Sequence, residues 1–261
     1  MTPRTMKPSD GIAWVTGGSS GIGAALACRL ASQGWTVAIS ARRKDKLEEV
    51  TSFSGKGRII AVPVDLTDAK AVEAAIAGLE EREGPIALAV LNAGIYLPVQ
   101  AEAPKFEDYR KTFEVNLSGT AACICALTPR MSARKTGQIA IVSSATSFGG
   151  MPTASAYGAS KAALVNMAAC LRIELHRHGV LVQAITPGFV ETPAQDDNAF
   201  PKPFMVSAET AARRIASGLK SKRFEITFPR RFTWALKAMY ALPYGWSLPL
   251  VRKQTGWDKP V

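Results

Sequence analysis

The sequence predicts a single α/β domain with a doubly wound, mostly parallel sheet and helices on both faces of that sheet. The first observation is that short apolar runs alternate with longer amphipathic stretches, which implies parallel strands joined by right-handed helical crossovers. The second is that the short runs are mostly apolar without strict alternation, as expected for strands covered on both faces. A chain of 261 residues with 47% hydrophobic and 20% charged residues suits one large folded domain and excludes wholesale disorder.

The predicted elements follow one another in a regular order. Strands are expected at residues 12–16, 36–40, 58–64, 86–91, 137–143 and 180–185, with helices between them at 21–33, 68–83 and 156–178. After Gly188 we expect a loop over 189–205, a helix over 207–220 and a short strand over 224–228. No segment has the composition of an interdomain linker. Residues 1–229 are therefore predicted to form one cofactor-binding and catalytic domain, with a substrate loop at about 189–206, and residues 230–261 a tail that packs on it.

The first strand runs into the glycine-rich sequence TGGSSGIG at residues 16–23, which opens the first helix. Glycine lets a backbone turn sharply and approach a pyrophosphate, and the helix N-terminus offers free N–H groups. The spacing differs from the usual GxGxxG, and such turns also serve packing alone. The position between a first strand and a helix nevertheless favours a Rossmann-type nucleotide site. The residues expected to bind the cofactor in this turn are Gly17, Ser19, Ser20, Gly21, Ile22 and Gly23.

The end of the second strand indicates which cofactor is preferred. An NAD site places an acidic residue there to bind the ribose 2′-hydroxyl, but this strand ends in Ser40-Ala41 and is followed by Arg42 and Arg43. Two guanidinium groups suit a 2′-phosphate, although arginines at a helix start can also be simply solvated. The missing acid predicts that NADP(H) is preferred, with NAD(H) left open.

A tyrosine and a lysine at 157 and 161 begin a long predicted helix, and their spacing places them on one face. A nearby ammonium favours the phenolate, so Lys161 is expected to lower the pKa of Tyr157 and make it an acid/base near neutral pH. The spacing alone is a weak signal. The preceding strand, however, ends in Ser143-Ser144, where open α/β sheets bind ligands, and a serine there can hold a substrate oxygen beside Tyr157.

With these motifs the sequence resembles the short-chain dehydrogenase/reductase family, in its compact single-domain branch with TGxxxGxG and YxxxK motifs. The matching positions, in order, are TGGSSGIG at 16–23, Asp65, NAG at 92–94, Asn116, Ser144, YGASK at 157–161, Pro187-Gly188 and Thr192. They span about two-thirds of the chain. The resemblance implies an oxidoreductase that moves a hydride between nicotinamide and a carbonyl/alcohol pair.

The resemblance also implies a role for each catalytic residue. Tyr157 would be the acid/base, Lys161 would lower its pKa and bind the nicotinamide ribose, and Ser144 would orient the carbonyl. Asn116, in a kinked helix at 113–117, would hold a water that relays protons to Lys161. The further implied cofactor contacts are Asp65, Leu66, Asn92, Ala93, Gly94, Tyr157, Lys161, Pro187, Gly188, Val190 and Thr192. Many NADP-using relatives carry a basic residue inside the glycine turn, which Ser19 and Ser20 replace here.

Three other functions fit the sequence less well. An NADP-binding sensor would need the turn and Arg42 but not the Tyr157, Lys161, Ser144 and Asn116 set. A sugar-nucleotide epimerase or dehydratase normally adds a sizeable substrate domain, for which the seventy or so residues after Gly188 leave little room. A nucleic-acid-binding role for the basic tail lacks a recognisable motif.

The substrate is expected to be a lipophilic ketone, aldehyde or secondary alcohol, with a 3-oxoacyl-thioester reductase as the alternative. Aromatic and methionine side chains fall in loops that should border the active cleft and indicate an apolar pocket, although they could also only pack those loops. These residues are Phe148, Met151, Phe189, Phe200, Phe204 and Met205.

Composition sets the remaining expectations. The N-terminal residues lack the apolar core of a secretion signal, so the protein is expected in the cytoplasm. The four cysteines and two histidines show no metal-ligand spacing and are predicted to form no metal site, the cysteines being buried thiols. Long apolar helices with small residues on several faces predict a homodimer or homotetramer.

Basic residues concentrate at the C-terminal end of the chain. The net charge is +11, and residues 201–261 contain twelve Lys/Arg against three Asp/Glu. Residues 234–250 read WALKAMYALPYGWSLPL, too apolar to lie free in water and too broken by proline for a regular spanning helix. The tail is therefore predicted to cover the substrate cleft or a subunit interface, or to contact a membrane surface.

Overall fold

The structure is a computed structural model that describes residues 2–53, 55–192 and 203–258. Within these residues it contains a seven-stranded sheet in which every neighbouring pair is parallel, in the order β3-β2-β1-β4-β5-β6-β7. The strands are β1 (Ile12–Thr16), β2 (Val37–Ser40), β3 (Ile59–Ala61), β4 (Ile86–Leu91), β5 (Gly137–Val142), β6 (Val180–Pro187) and β7 (Glu225–Phe228). The predicted doubly wound parallel sheet is confirmed, and its winding reverses between β1 and β4, where open α/β sheets form their ligand crevice.

Helices cover both faces of the sheet. They are α1 (Gly21–Ser32), α2 (Lys44–Thr51), α3 (Ala69–Glu83), α4 (Phe106–Phe113), α5 (Gly119–Arg134), α6 (Ser155–Glu174), α7 (Ala208–Gly218), α8 (Arg230–Tyr240) and α9 (Tyr244–Thr255). Successive residues of a strand point to opposite faces, so Val15 packs in the core under α1 and α7, whereas Trp14 packs in the core under α3, α5 and α6. Trp14 is fully buried, and its indole N–H donates to the Ser40 hydroxyl over 2.9 Å.

Several element ends differ from the predicted ones for local reasons. The third strand is shorter than predicted because it ends before Pro63, which has no N–H for a strand hydrogen bond. The long helix predicted to reach residue 178 ends as α6 at Glu174 and continues as one tight turn, Leu175–His178, before Gly179 takes φ +70°. Asp68 caps α3 by accepting from the N–H groups of Lys70 and Ala71.

The expectation that the cysteines are buried is wrong for two of them. All four are free thiols, and Cys123 is buried, but Cys125 and Cys170 lie on the exposed faces of α5 and α6. The apolar runs around them suggested burial, whereas in the structure only one face of each helix packs on the sheet.

The C-terminal tail forms two short helices, α8 and α9. Thr233 and Leu236 of α8 and Ser247 and Val251 of α9 are the buried residues by which they pack. Pro243 lies between the two helices, and Pro249 lies within α9. In the described part of the chain, no helix is long and apolar enough to cross a bilayer. The predicted loop at 189–206 lies partly outside the described residues, which resume at 203.

Candidate active site

A cleft runs along the carboxyl ends of the parallel strands, with a cavity volume of about 770 Å³. The sequence-predicted residues that line it are Gly17, Ser19, Ser20, Gly21, Ile22, Arg42, Arg43, Asp65, Leu66, Asn92, Ala93, Gly94, Ser144, Tyr157, Lys161, Pro187, Gly188, Val190 and Thr192. Two predicted residues, Gly23 and Asn116, lie behind its walls. Other lining residues were not among the predicted contacts: Ser40, Ala41, Val64, Thr67, Ile95, Tyr96, Val115, Val142 and Ser143.

The glycine-rich turn at one wall of this cleft fits a phosphate group. A Cβ on Gly23 would lie 2.1 Å from the Gly17 carbonyl oxygen, so the helix can approach the turn this closely only without a side chain at that position. The side-chain amide of Asn92, which follows the neighbouring strand β4, donates to the Thr16 and Gly17 carbonyl oxygens over 3.0 and 3.3 Å. These bonds hold the turn in place. Ser20 precedes α1, and its hydroxyl caps no N–H of that helix within the described residues. The first N–H groups of α1 therefore remain available to an anion.

The far end of the cleft, next to β2 and β3, brings opposite charges together. Arg42 and Arg43 follow β2 after Ala41 and are exposed to solvent. Asp65 accepts hydrogen bonds from the Thr67 N–H over 3.0 Å and from the Thr67 hydroxyl over 2.8 Å. These hydrogen bonds, together with the charge of Arg42, hold the pKa of Asp65 below its usual range. At the end of β2, residues 40–43 line the cleft with two basic side chains and no acidic one.

Tyr157, Lys161 and Ser144 meet where β5 and α6 approach each other. Lys161 is 3% exposed, and its ammonium donates to the Val142 carbonyl oxygen over 2.9 Å. In the other direction, the Ser143 hydroxyl donates to the Lys161 carbonyl oxygen over 2.7 Å. These two bonds tie the end of the strand to the first turns of the helix. The Lys161 nitrogen lies 5.5 Å from the centre of the Tyr157 ring.

The pKa values of this group are set mainly by burial. Burial raises the pKa of Tyr157 to about 12, and a hydrogen bond with the Ser144 side chain lowers it in part. Burial also lowers the pKa of Lys161 to about 8. The expectation that the pKa of Tyr157 lies below its ordinary value is therefore wrong for this structure, because desolvation of the phenolate dominates. Tyr157 is held as a neutral phenol, which is the form that can donate a proton.

Asn116 lies in a π-helical turn, Glu114–Ser118, between α4 and α5. Its side-chain amide donates to the Ile95 carbonyl oxygen and to the Ser160 hydroxyl, both over 3.0 Å, and its amide oxygen accepts from the Ile95 N–H over 2.8 Å. A Cβ on Gly94 would lie 3.1 Å from that oxygen and 3.3 Å from the Lys161 nitrogen. Asn116 and Lys161 thus border the same small space beside Gly94.

A second, mostly apolar pocket adjoins Tyr157. It is lined by Tyr96, Ser144, Ala145, Thr146, Met151, Ala154, Tyr157, Gly188, Phe189 and Phe232. The Tyr96 ring packs edge-on against the Tyr157 ring, with 5.1 Å between the ring centres. The only hydroxyls at its wall are those of Ser144, Thr146 and the two tyrosines, among the lining residues that the structure describes. The pocket is small, with a volume of about 30 Å³, and its walls suit an apolar group whose polar atom faces Tyr157 and Ser144.

Only some of the residues predicted to line an apolar pocket do so. Met151 and Phe189 line it. Phe148 instead lies beneath the Lys237 ammonium, with 4.8 Å between the nitrogen and the ring centre, and Phe204 and Met205 are exposed. Phe200 lies outside the described residues.

Sequence reasoning missed Phe232, which is on α8. Its ring lies 5.7 Å from that of Phe189 and 6.0 Å from that of Phe204. The i, i+4 spacing of Phe232, Leu236 and Tyr240 was a signal of one inward-facing helix side. That spacing does not say which part of the fold the helix would pack against.

The family model described as short chain dehydrogenase matches residues 11–201. An uncharacterized oxidoreductase of Myxococcus xanthus is 34% identical over 233 residues, which cover 88% of this chain and 92% of that protein. A fatty acyl-CoA reductase of Acinetobacter baylyi is 34% identical over 186 residues, 70% of this chain and 63% of that protein. The crystal structure of a short-chain type dehydrogenase/reductase from Mycobacterium marinum superposes with a TM-score of 0.76 at 25% identity, over 83% of this chain and 93% of that one. The chain belongs to the short-chain dehydrogenase/reductase family of oxidoreductases.

Proposed function

We propose that this protein uses NADPH to reduce a lipophilic ketone or aldehyde, and that it catalyses the reverse oxidation of a secondary alcohol. The observation that carries the proposal is the meeting of Tyr157, Ser144 and Lys161 where the long cleft opens into the apolar pocket. A substrate carbonyl in that pocket would have two hydroxyl groups beside its oxygen and apolar walls around its carbon chain.

The bound cofactor would supply the hydride, and the chain would supply the proton and the orientation. Tyr157, held neutral by burial, would donate its phenolic proton to the carbonyl oxygen as negative charge develops there. The Ser144 hydroxyl accepts from the Thr146 N–H over 3.2 Å, which fixes its position for orienting that same oxygen. The Lys161 ammonium would stabilise the phenolate left on Tyr157, and Asn116 would hold the water that returns a proton to Lys161.

The preference for NADPH is proposed from the charges at the end of β2. Family members bind NAD(P)(H), and the ribose end of the cleft in this chain carries Arg42 and Arg43. Guanidinium groups bind a phosphate bidentately, whereas the ribose 2′-hydroxyl of NADH would find no acidic partner at the end of β2. The other cofactor contacts that the sequence predicts are proposed here unchanged.

A 3-oxoacyl-thioester substrate is the second candidate. The specific observation in its favour is the similarity to the fatty acyl-CoA reductase, over 70% of this chain. The net charge of +11 would also attract an anionic carrier or coenzyme. A non-catalytic NADP sensor is the third, and it leaves the arrangement of Tyr157, Ser144 and Lys161 without a purpose.

A panel of carbonyl substrates tests the proposal and separates the candidates. Steroid, aryl, long-chain and acyl-thioester carbonyls would be offered with NADPH, and the fall in NADPH absorbance measured. Tyr157→Phe should lower kcat at least ~100-fold on the best substrate, because only the proton donor is lost. Its affinity for NADPH should stay close to that of the wild type.

The matched control is Tyr244→Phe, which removes the same hydroxyl from a side chain that is 77% exposed. It should turn over as the wild type does. Near wild-type kcat in Tyr157→Phe would overturn the mechanism, and no turnover of any carbonyl by the wild type would favour the sensor.

A further inference from the structure

The two C-terminal helices expose an unusual amount of apolar and aromatic surface. Among the described residues, seven of the eleven exposed large hydrophobic side chains lie between positions 234 and 257. They are Trp234, Leu242, Tyr244, Trp246, Leu248, Leu250 and Trp257, with exposed fractions from 37% to 77%. We call these seven residues, with the basic residues named next, the C-terminal face. Apolar surface of this extent usually marks a contact with another body.

The charge of this face is mostly positive, and the acid nearest to it at the chain end is the exposed Asp258, which follows Trp257. Residues 226–257 contain no Asp or Glu and five Lys or Arg. Lys237 is paired with Glu225 of β7, whereas Arg230, Arg231, Arg252 and Lys253 are exposed. The partner of this face should therefore carry negative charge as well as apolar surface.

The helices direct both kinds of side chain away from the domain. In α9 the buried residues are Ser247 and Val251, one turn apart. Trp246, Pro249 and Lys253 follow the 3–4 spacing of the opposite side, and all are exposed. The outer side of this helix therefore carries an aromatic ring and an ammonium group together.

The same holds for α8. Thr233 and Leu236 are buried, whereas Arg230, Trp234 and Ala238 are exposed and share one side at i, i+4 and i+8. Along this side a guanidinium group again lies close to an indole ring.

We propose that the C-terminal face binds the surface of a bilayer that contains anionic phospholipids. Trp and Tyr rings favour the boundary between head groups and acyl chains, and Lys and Arg beside them are attracted to acidic head groups. Because no described helix can span a bilayer, the contact is peripheral. Four exposed basic groups and the rings beside them act together in it.

A second copy of the chain is the competing occupant. A two-fold contact would place the same patch on both sides. The exposed arginines and lysine of one copy would then face those of the other, with no acid within residues 226–257 to offset them. An anionic lipid surface complements both the apolar side chains and the positive charge of the face. A second copy would complement only the apolar side chains.

The face adjoins the apolar pocket through α8. Phe232 lines the pocket from the inner side of this helix, while Trp234, two residues on, is 62% exposed. Docking would place the pocket wall next to the lipid and shorten the path of a lipophilic substrate. This link alone rests on the proposed function, and the experiment below measures binding without turnover.

Vesicle flotation at low salt tests the proposal. Vesicles with equal parts of phosphatidylcholine and phosphatidylglycerol should bind the protein at least ~100-fold more tightly than pure phosphatidylcholine vesicles, since each basic group near an anionic surface adds about tenfold or less. Added salt should weaken this binding. Tryptophan emission gives a second readout, because Trp234, Trp246 and Trp257 are exposed while Trp14 and Trp35 are buried. Binding should shift the emission to shorter wavelength.

Two pairs of substitutions locate the contact. Trp234→Ser with Trp246→Ser, and separately Arg252→Glu with Lys253→Glu, should each lower vesicle binding at least ~10-fold. The charge-matched control is Lys56→Glu with Lys70→Glu, at exposed positions elsewhere, which should bind nearly as the wild type does. No flotation of the wild type, or equal loss in the control and the face variants, overturns the proposal. A third result would also overturn it: the wild type binds no vesicles, and the Trp234→Ser, Trp246→Ser variant has a lower molecular mass than the wild type. That result would assign the face to a contact with a second copy.

Discussion

At the scale of single residues, Lys161 combines a structural cost with a proposed chemical role. Its ammonium group is buried at the junction of β5 and α6, with one hydrogen bond to the Val142 carbonyl oxygen. Burial lowers its pKa from 10.5 to about 8, so the folded state disfavours the charged form relative to the unfolded chain. Residues that keep a buried charge at a reactive centre often lower stability in exchange for activity.

Replacing Lys161 with methionine should therefore stabilise the protein. At pH 7 the lysine is charged in both the folded and the unfolded state, and burying its charge costs on the order of 3 kcal/mol. The methionine variant avoids this cost but loses the hydrogen bond to the Val142 carbonyl oxygen, which is worth about 1 kcal/mol. We expect the free energy of unfolding to rise by about 2 kcal/mol in Lys161→Met, measured by urea denaturation.

The pH dependence of this gain has a definite sign. Because the folded pKa lies below the unfolded one, the unfolded chain binds more protons between pH 8 and 10.5, and wild-type stability at this residue rises with pH there. The advantage of Lys161→Met should therefore shrink between these values. A variant less stable than the wild type at pH 7 would contradict this account, and Lys161→Met should in any case lose turnover.

The proposed preference for NADPH depends mainly on Arg42. In the wild type, NADPH should bind more than tenfold tighter than NADH, a difference of about 1.4 kcal/mol or more. Arg42→Ala should remove much of that difference by weakening NADPH while leaving NADH nearly unchanged, as measured by fluorescence titration. Lys44→Ala is the matched control, since Lys44 is also exposed and begins α2 two residues later. Equal affinities for the two cofactors in the wild type would reject the argument.

At the scale of elements, α8 is held across the apolar pocket by contacts to three parts of the fold. Phe232 packs against Phe189 after β6, Lys237 pairs with Glu225 of β7, and the Tyr240 hydroxyl donates to the Gly150 carbonyl oxygen over 2.5 Å. Since the helix is anchored at its beginning, middle and end, its inner side forms a fixed wall. The shape of the pocket should then depend on the side chain at 232.

Phe232→Ala tests this directly. Removing the ring should enlarge the pocket, so the ratio of kcat/KM for a bulky carbonyl to that for a small one should rise at least ~10-fold. Affinity for NADPH should not change, because Phe232 does not line the cofactor cleft. Phe106→Ala, at an exposed ring on α4, is the control. An unchanged ratio would show that α8 does not shape the substrate site.

The elements also show where prediction from sequence succeeds. The bounds of β1 and β4 were predicted correctly because each is an unbroken apolar run between clear turn signals. Tyr157 and Lys161 could be paired because their closeness follows from the geometry of one helix. Ser144 could be placed beside them because the carboxyl ends of parallel strands meet at one edge of a sheet.

Long-range packing sets the limit of such prediction. Tyr96 meets Tyr157, and Phe232 meets Phe189, across stretches of chain whose paths no local pattern determines. The predicted direction of the Tyr157 pKa shift was wrong for the same reason. The effect of Lys161 could be inferred from its spacing to Tyr157, but the depth of burial could not.

At the scale of the whole molecule, one side of α6 is exposed to solvent. Ala159, Ala163, Asn166, Cys170 and Ile173 are exposed at the 3–4 spacing of one helix side, and small side chains there permit close approach of a second helix. The family forms oligomers, and we expect a homodimer or homotetramer through this side.

Light scattering at micromolar concentration should therefore give a mass at least twice that of one chain, 27.8 kDa. Ala163→Arg should lower the mass by placing a charge in the contact. Ala238→Arg, on the exposed side of α8, should leave the mass unchanged. A monomeric wild type would refute the expectation, and dissociation by Ala238→Arg alone would move the contact to α8.

The contribution of α8 to the pocket has a consequence for how such proteins diversify. The region that matches the family model ends at residue 201, whereas Phe232 comes from sequence beyond it. The family pattern therefore covers the residues proposed to hold the cofactor and to donate the proton, but not the helix that closes the pocket. A change confined to this terminal helix would alter which molecules enter the pocket while leaving the residues proposed for the reaction untouched.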